Sequence, residues 1–196
     1  MTTTSAVLED LLAGNDRFKR GHSMHEAPSS RLAALSDGQR PWAIILACSD
    51  SRVALELVFD ATLGDLFVIR IAGNFADTAA IGSIEFAVQQ FASPLLLVLG
   101  HSGCGAVGAT LENVRAGSPA LPGNIGDIVR AIEPSARIAL KAGGDVYADA
   151  VAENVRATVA KLLAVSPIIA TAAQTGALQV VGGIYDIKTG TVHMLG

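Results

Sequence analysis

Two short stretches hold both cysteines of the chain, together with other residue types that bind metals and react in enzymes. The first, CSDSR, places Asp50 two residues after Cys48 and Arg52 two residues after Asp50. The second, HSGC, places His101 and Cys104 three residues apart. Two thiolates and an imidazole suit zinc, which binds such ligands in a tetrahedron. The residue types therefore predict a zinc site built from Cys48, His101 and Cys104.

Asp50 has two candidate roles in this pattern. It could supply a fourth ligand to the metal, or a turn could pair it bidentately with Arg52. Three other interpretations stay open: a disulfide or redox pair of the two cysteines, a closed structural zinc site with Asp50 as permanent ligand, and a helix cap formed by SDSR. A disulfide would leave His101, Asp50 and Arg52 unexplained, so the combination favours zinc.

Residues 103–108, GCGAVG, match the GxGxxG pattern of dinucleotide-binding turns. That pattern requires an acidic residue at a strand end about 20 positions later, and Asp127 falls instead in a region with a helical pattern. We therefore interpret the glycines as residues that let the backbone approach the metal closely. Gly103, in the same turn, is placed among the candidate substrate-binding residues.

The elements that must position these residues alternate between strands and helices. Apolar runs of strand length are PWAIILAC, GDLFVIR and PLLLVLG, and a hairpin pattern closes the chain in ALQVVGGIYDIKTGTVHML. Helical spacing covers residues 5–20, 78–92, 124–141, 147–164 and 167–175, and a further helix starts at CGAVGATLENV. The pattern predicts an α/β fold with a mostly parallel central sheet, of about four parallel strands and an antiparallel C-terminal edge strand, flanked by helices and preceded by an N-terminal helical arm. Ligands of such sheets bind beyond the carboxyl ends of the strands, where both motifs fall.

Composition limits the other function classes. The 196 residues predict one domain, 1–196, whose first 30 residues form the helical arm and a loop. Hydrophobic residues make up 51% and charged residues 16%, which indicates apolar surface buried between subunits. With a net charge of −4 and no basic cluster, we expect no nucleic-acid partner. No apolar run reaches the roughly 18 residues of a membrane helix and no secretory signal is visible, so we expect no membrane partner and a cytoplasmic location.

The two motifs and their surroundings resemble the β-class carbonic anhydrases. The likeness covers nearly the whole chain from about residue 5 and is carried by CSDSR, GDLFVIRIAGN, GSIEFAV, PLLLVLGHSGCGAV and VVGGIYDIKTGTV, in that order. It implies one zinc ion per subunit, held by Cys48, His101 and Cys104, with water or hydroxide in the fourth position. The implied reaction is the reversible hydration of carbon dioxide to bicarbonate and a proton.

The resemblance also implies roles for individual side chains. Asp50, paired with Arg52, would orient the reacting hydroxide, and in a closed state it would bind zinc itself. Gln39 stands where the family has a glutamine that binds the substrate, Phe67 matches an aromatic wall of the pocket, and Phe86 replaces a tyrosine of some members. In this family part of the pocket comes from a neighbouring subunit, so the resemblance implies a homo-oligomer, either a dimer or a dimer of dimers.

Two alternatives to this function stay open. A carbonyl sulfide or carbon disulfide hydrolase would use the same scaffold, and a non-catalytic zinc protein would keep Asp50 on the metal. Regulation by bicarbonate is not expected. Arg70 and Tyr185 match two residues of a regulatory site in some bacterial members, but the tryptophan expected three residues before Cys48 is Ile45.

Overall fold

A five-stranded sheet runs through the structure and helices pack around it. The structure is a computed structural model that describes residues 4–24 and 31–196. In that part of the chain the strands are β1 (Ala43–Ala47), β2 (Leu66–Arg70), β3 (Leu95–His101), β4 (Gln179–Asp186) and β5 (Thr191–Leu195). The helices are α1 (Thr4–Lys19), α2 (Leu32–Leu35), α3 (Leu55–Val58), α4 (Thr78–Phe91), α5 (Gly105–Arg115), α6 (Ile125–Ala142), α7 (Val146–Val165) and α8 (Pro167–Gln174).

The strand order is β2-β1-β3-β4-β5, in which the first four strands are parallel and β5 is antiparallel to β4. This arrangement confirms the predicted fold class. The strands β1 and β3 lie at the centre and are buried along their whole length, as runs of apolar residues covered on both faces should be. Strand β2 is equally apolar, but it lies at the edge and is only half-buried within one chain.

The N-terminal arm is tied to the body of the protein by a buried asparagine in α1. Asn15 Nδ2 donates hydrogen bonds to the carbonyl oxygens of Val58 and Gly190, at 3.0 and 2.9 Å, and Asn15 Oδ1 accepts one from the backbone N–H of Val192 at 2.9 Å. A buried amide is stable only when it is paired in this way. The arm therefore docks between α3 and the β4–β5 hairpin. The loop predicted for residues 21–30 lies partly outside the described residues.

The two sequence motifs that hold the cysteines lie together at one edge of the sheet. Because β1 and β3 are neighbours, with Ala47 opposite Leu99, the residues that follow them emerge side by side.

Within the described ranges no single helix is long and apolar enough to cross a membrane, and only α7 and α8 taken together, across a bend of 97°, reach that length and composition.

Candidate metal centre

Three buried side chains from different elements meet at the carboxyl edge of the sheet. Cys48 follows β1, His101 ends β3, and Cys104 is the N-cap residue of α5. One ligand atom from each residue lies within 4.8 Å of the other two. The structure thus brings together the three residues that the sequence analysis assigned to a metal.

The distance between the two sulfurs fits a shared zinc ion better than a disulfide. The Sγ atoms of Cys48 and Cys104 are 4.0 Å apart, and both cysteines are free. Two thiolates in a tetrahedron around zinc would be about 3.8 Å apart, since each Zn–S bond is near 2.3 Å. A disulfide bond is about 2.05 Å long. The disulfide interpretation is therefore wrong for this structure.

The imidazole of His101 is oriented by its own turn. Its Nδ1 lies 3.0 Å from the carbonyl oxygen of Ser102, and because that oxygen can only accept, Nδ1 carries the proton. The other ring nitrogen, Nε2, is buried and makes no regular hydrogen bond among the described residues. A buried imidazole nitrogen with a lone pair and no partner, beside two thiols, fits a metal ligand.

Asp50 is paired with Arg52 and does not join the three ligand atoms. Arg52 Nε donates to Asp50 Oδ1 at 2.9 Å and Nη2 donates to Oδ2 at 2.7 Å, a bidentate pair. The backbone N–H of Arg52 also donates to Oδ1, at 2.9 Å. Oδ2 remains 3.9 Å from His101 Nε2. The carboxylate therefore lies beside the three ligand atoms without joining them, which contrasts with a structural site that Asp50 would close.

Arg52 also joins the two motifs to each other. Its Nη2 donates a second hydrogen bond, at 3.1 Å, to the carbonyl oxygen of Gly103. Gly103 has φ +70°, which favours glycine. The structure thus places Gly103 at the rim of the centre, where its carbonyl helps to fix the arginine that holds Asp50.

Arg70 supports the same turn from the neighbouring strand. It ends β2 opposite Ala47, and its Nε and Nη2 donate to the carbonyl oxygens of Cys48 and Asp50 at 3.0 and 2.6 Å. The sequence analysis considered Arg70 only for a regulatory site and missed this contact. The contact could have been inferred from the position of Arg70 at the end of β2, the neighbour of the strand that Cys48 follows.

Tyr147 contacts the backbone of the other cysteine, Cys104, and the sequence analysis missed this contact as well. Its hydroxyl donates to the carbonyl oxygen of Cys104 at 2.5 Å. Burial raises the pKa of Tyr147 to about 12, so the hydroxyl keeps its proton and remains a donor. The contact spans 43 residues of sequence, and no local pattern predicts it.

The ionisable groups of the centre change one another's pKa values. The contact with Cys104 lowers the pKa of the Cys48 thiol, and the same contact, together with burial, raises the pKa of Cys104. Hydrogen bonds from Arg52 hold the pKa of the Asp50 carboxyl well below its usual range. Burial, the largest single influence, disfavours the charged form of His101, but the contacts with Cys48 and the Ser102 carbonyl oxygen, together with the charges of Cys48 and Asp50, raise the pKa of the imidazole. A thiolate and a carboxylate thus face one small space, which favours a bound cation.

The predicted substrate-binding side chains lie elsewhere in the single chain. Gln39 is exposed in a surface pocket of about 580 Å³ that Arg31 and Arg40 also line, and none of the three candidate ligands lines it. Phe67 and Phe86 form an aromatic cluster with Phe91, with ring centroids 5.7 to 6.4 Å apart. Phe67 is three residues before the end of β2, about 10 Å from the edge that holds the metal centre.

Comparison with known proteins places this geometry in one family. A family model described as carbonic anhydrase matches residues 43–192. The chain is 41% identical over 191 residues to the carbonic anhydrase of Mycolicibacterium smegmatis, covering 96% of this chain and 92% of that protein. It is 40% identical over 191 residues to carbonic anhydrase 2 of Mycobacterium tuberculosis, covering 96% of this chain and 91% of that protein.

Solved structures show the same likeness. The β-carbonic anhydrase CcaA superposes with a TM-score of 0.75 at 32% identity, covering 95% of this chain and 86% of that one. The Coccomyxa β-carbonic anhydrase, determined with acetazolamide, superposes with a TM-score of 0.74 at 28% identity, covering 96% of this chain and 86% of that one.

Proposed function

Since the chain belongs to the β-class carbonic anhydrase family, we propose that it hydrates carbon dioxide reversibly to bicarbonate and a proton, with one zinc ion per subunit held by Cys48, His101 and Cys104. The observation that carries this proposal is the buried group of two sulfurs and an imidazole nitrogen, with ligand atoms within 4.8 Å of one another; no described residue makes a regular hydrogen bond to that nitrogen. The Asp50 carboxylate lies beside this group, and Arg52 holds it there through a bidentate pair.

Zinc, when bound, acidifies water and so supplies a nucleophile near neutral pH. The part of Asp50 is to orient the reacting water by accepting its hydrogen bond at the carboxylate. Arg52 keeps that carboxylate ionised and away from the three ligands through its bidentate pair. Arg70, from β2, fixes the backbone that carries both Cys48 and Asp50.

We infer that Gln39, Phe67 and Phe86 serve the centre of a second subunit. Phe86 is 53% exposed, and the edge strand β2 is only half-buried, so residues 4–24 and 31–196 leave the face formed by β2 and α4 partly uncovered. Burying such a face in a two-fold dimer would remove the apolar rings from water. It would also offer the rings to a partner, and the family resemblance implies the same for Gln39. The proposed unit is a homodimer or a dimer of dimers.

The reaction is tested by stopped-flow hydration of carbon dioxide with protein whose zinc has been counted. We expect one zinc per chain and a fast rate that rises toward mildly alkaline pH, because more of the zinc-activated water is then ionised. Removal of the metal by a chelator should abolish the rate, and added zinc should restore it. Stoichiometric zinc without hydration at any pH between about 6.5 and 9 would contradict the proposed reaction.

The shared site is tested by mixing two defective chains. Gln39→Leu should slow hydration roughly tenfold, because one hydrogen bond to the substrate is lost. Cys104→Ser removes a metal ligand and should be inactive. If Gln39 acts in the partner's centre, a heterodimer of the two variants contains one complete site. Unfolding and refolding an equal mixture should then restore about a quarter of wild-type activity, since half of the dimers are mixed.

The matched control replaces the Cys104→Ser chain by one that carries both substitutions. That mixture contains no intact Gln39, so its rate should stay at the level that the Gln39→Leu chain alone provides. Equal rates in the two mixtures would show that Gln39 does not act across the dimer.

A further inference from the structure

We propose that Asn154 is a positioning residue of the metal centre: it fixes the turn at Gly73, whose backbone N–H donates a hydrogen bond to Cys48 Sγ and thereby sets how strongly that thiolate donates charge to zinc. The inference rests on the proposed function, because it assumes that Cys48 binds a metal. Neither Asn154 nor Gly73 belongs to the two motifs that carry the ligands.

Two hydrogen bonds connect the helix to the sulfur. The backbone N–H of Gly73 lies 3.3 Å from Cys48 Sγ, within the range of a bond to sulfur. Asn154 Nδ2 donates to the carbonyl oxygen of Gly73 at 2.7 Å. The N–H of Asn74, which belongs to the same peptide unit as that carbonyl, donates to the carbonyl oxygen of Ile71 at 3.0 Å. This peptide unit is held at both ends, and so it restrains the neighbouring peptide unit, whose N–H donates to the sulfur.

The turn itself needs a glycine. Gly73 has φ +81°, a conformation that other residues rarely adopt. A Cβ atom there would also lie 2.5 Å from Ile132 Cδ1 and 3.2 Å from Ala106 Cβ. Because glycine allows many backbone conformations, the turn depends on outside contacts to hold it in this one. Asn154 supplies such a contact from α7, a helix 81 residues further along the chain.

Burying the side chain of Asn154 is unfavourable unless it makes the hydrogen bond to Gly73. Its side chain is 2% exposed, and it lies on the face of α7 that also buries Val151 and Val155. A polar group in such surroundings is unfavourable when it is unpaired. The same holds for the carbonyl oxygen of Gly73, so loss of Asn154 would favour a rearranged turn.

The consequence at the metal follows from the chemistry of thiolates. A sulfur that accepts an N–H hydrogen bond has a more stable lone pair and transfers less charge to the ion it binds. Loss of the hydrogen bond would therefore raise the charge that Cys48 donates, but it would also remove the contact that orients the sulfur. The loss of orientation dominates the affinity, since removing such contacts typically weakens metal binding by about 10- to 100-fold. Asn154 therefore acts on zinc through the Gly73 peptide, without touching the metal or the substrate.

The test compares Asn154→Leu with Asn113→Leu, which removes another largely buried asparagine with one side chain-to-backbone bond, to the carbonyl oxygen of Pro119 at 3.0 Å. We expect Asn154→Leu to bind zinc roughly tenfold more weakly in competition with a chelator. In the cobalt-substituted protein its sulfur-to-metal charge-transfer bands should move to longer wavelength. The Asn113→Leu protein should keep wild-type affinity and bands, even where its melting temperature falls.

A second measurement observes the hydrogen bond itself. In wild-type protein loaded with an NMR-active cadmium isotope, a scalar coupling should connect the Gly73 amide proton to the metal through Cys48 Sγ. Asn154→Leu should lose this coupling; if that variant does not fold, Asn154→Ser takes its place, since the smaller side chain fits the same space. Unchanged coupling, bands and affinity in the variant would overturn the inference. Failure of the wild-type chain to bind zinc would instead refute the proposed function.

Discussion

Replacing Cys104 by serine is expected to leave a folded chain that holds no zinc and hydrates carbon dioxide no faster than the uncatalysed reaction. A serine hydroxyl does not ionise near neutral pH, so it cannot replace the thiolate in the group formed with Cys48 and His101. The hydrogen bond that Tyr147 donates goes to the backbone oxygen of Cys104, and the substitution leaves it in place. The loss should therefore be specific to the metal.

Three measurements test this expectation together: zinc content after dialysis, the hydration rate, and the melting temperature with and without a chelator. A metal that binds only the folded chain stabilises it by mass action. A chelator should therefore lower the melting temperature of the wild-type protein and leave that of the Cys104→Ser protein unchanged. Thr110→Ser serves as the control, because it alters a fully buried side chain of the same helix, α5, and spares the ligands. Stoichiometric zinc in the Cys104→Ser protein would remove Cys104 from the ligand set.

Much of the fold could be predicted because its central strands are marked by composition alone. AIILA in β1 and LLLVLGH in β3 are covered on both faces, and their uninterrupted apolar runs indicate this. The run in β2 looks the same in sequence, yet the strand lies at the edge of the sheet. Strand order depends on long-range pairing, which a local pattern does not encode. The four-residue helices α2 and α3 were missed because they are too short to show a helical period.

The proximity of Cys48, His101 and Cys104 could be expected because parallel strands end at one edge, and two of these residues lie at the ends of such strands. The hydrogen bonds that support these three residues could not be predicted from the sequence. Tyr147 and Asn154 lie on α7 and reach the centre across 43 and 81 residues of sequence. Their hydrogen bonds depend on where α7 packs against the sheet, and a tyrosine or an asparagine in a helix has no spacing that reveals such a partner.

Replacing Asp50 by asparagine is expected to reduce turnover roughly 100-fold or more while the protein keeps its zinc. The substitution preserves size and removes charge. The oxygen of the new amide can still accept from the backbone of Arg52, but its NH2 group would face the Nη2 donor of that arginine. Arg52 would then lose half of its bidentate partner, and the reacting water would lose an anionic acceptor.

The pH profile adds a second criterion to the rate. Arg52 holds the pKa of the Asp50 carboxyl well below its usual range, so the group is ionised at every pH above that range. The carboxylate then contributes equally throughout the assay, and the loss in Asp50→Asn should be the same fold at each point between about pH 6.5 and 9. A loss confined to one end of this range would mean that the variant had shifted another ionisation.

Asp127→Asn is the matched control, because it breaks an aspartate–arginine pair with Arg130 on the exposed surface of α6. Surface pairs of this kind contribute little, so its zinc content and rate should be those of the wild type. Zinc retained with turnover lost in Asp50→Asn alone would separate binding of the metal from use of the water. Unchanged turnover in that variant would remove Asp50 from the mechanism, and Arg52 would then have only the task of joining the turn at residue 50 to Gly103.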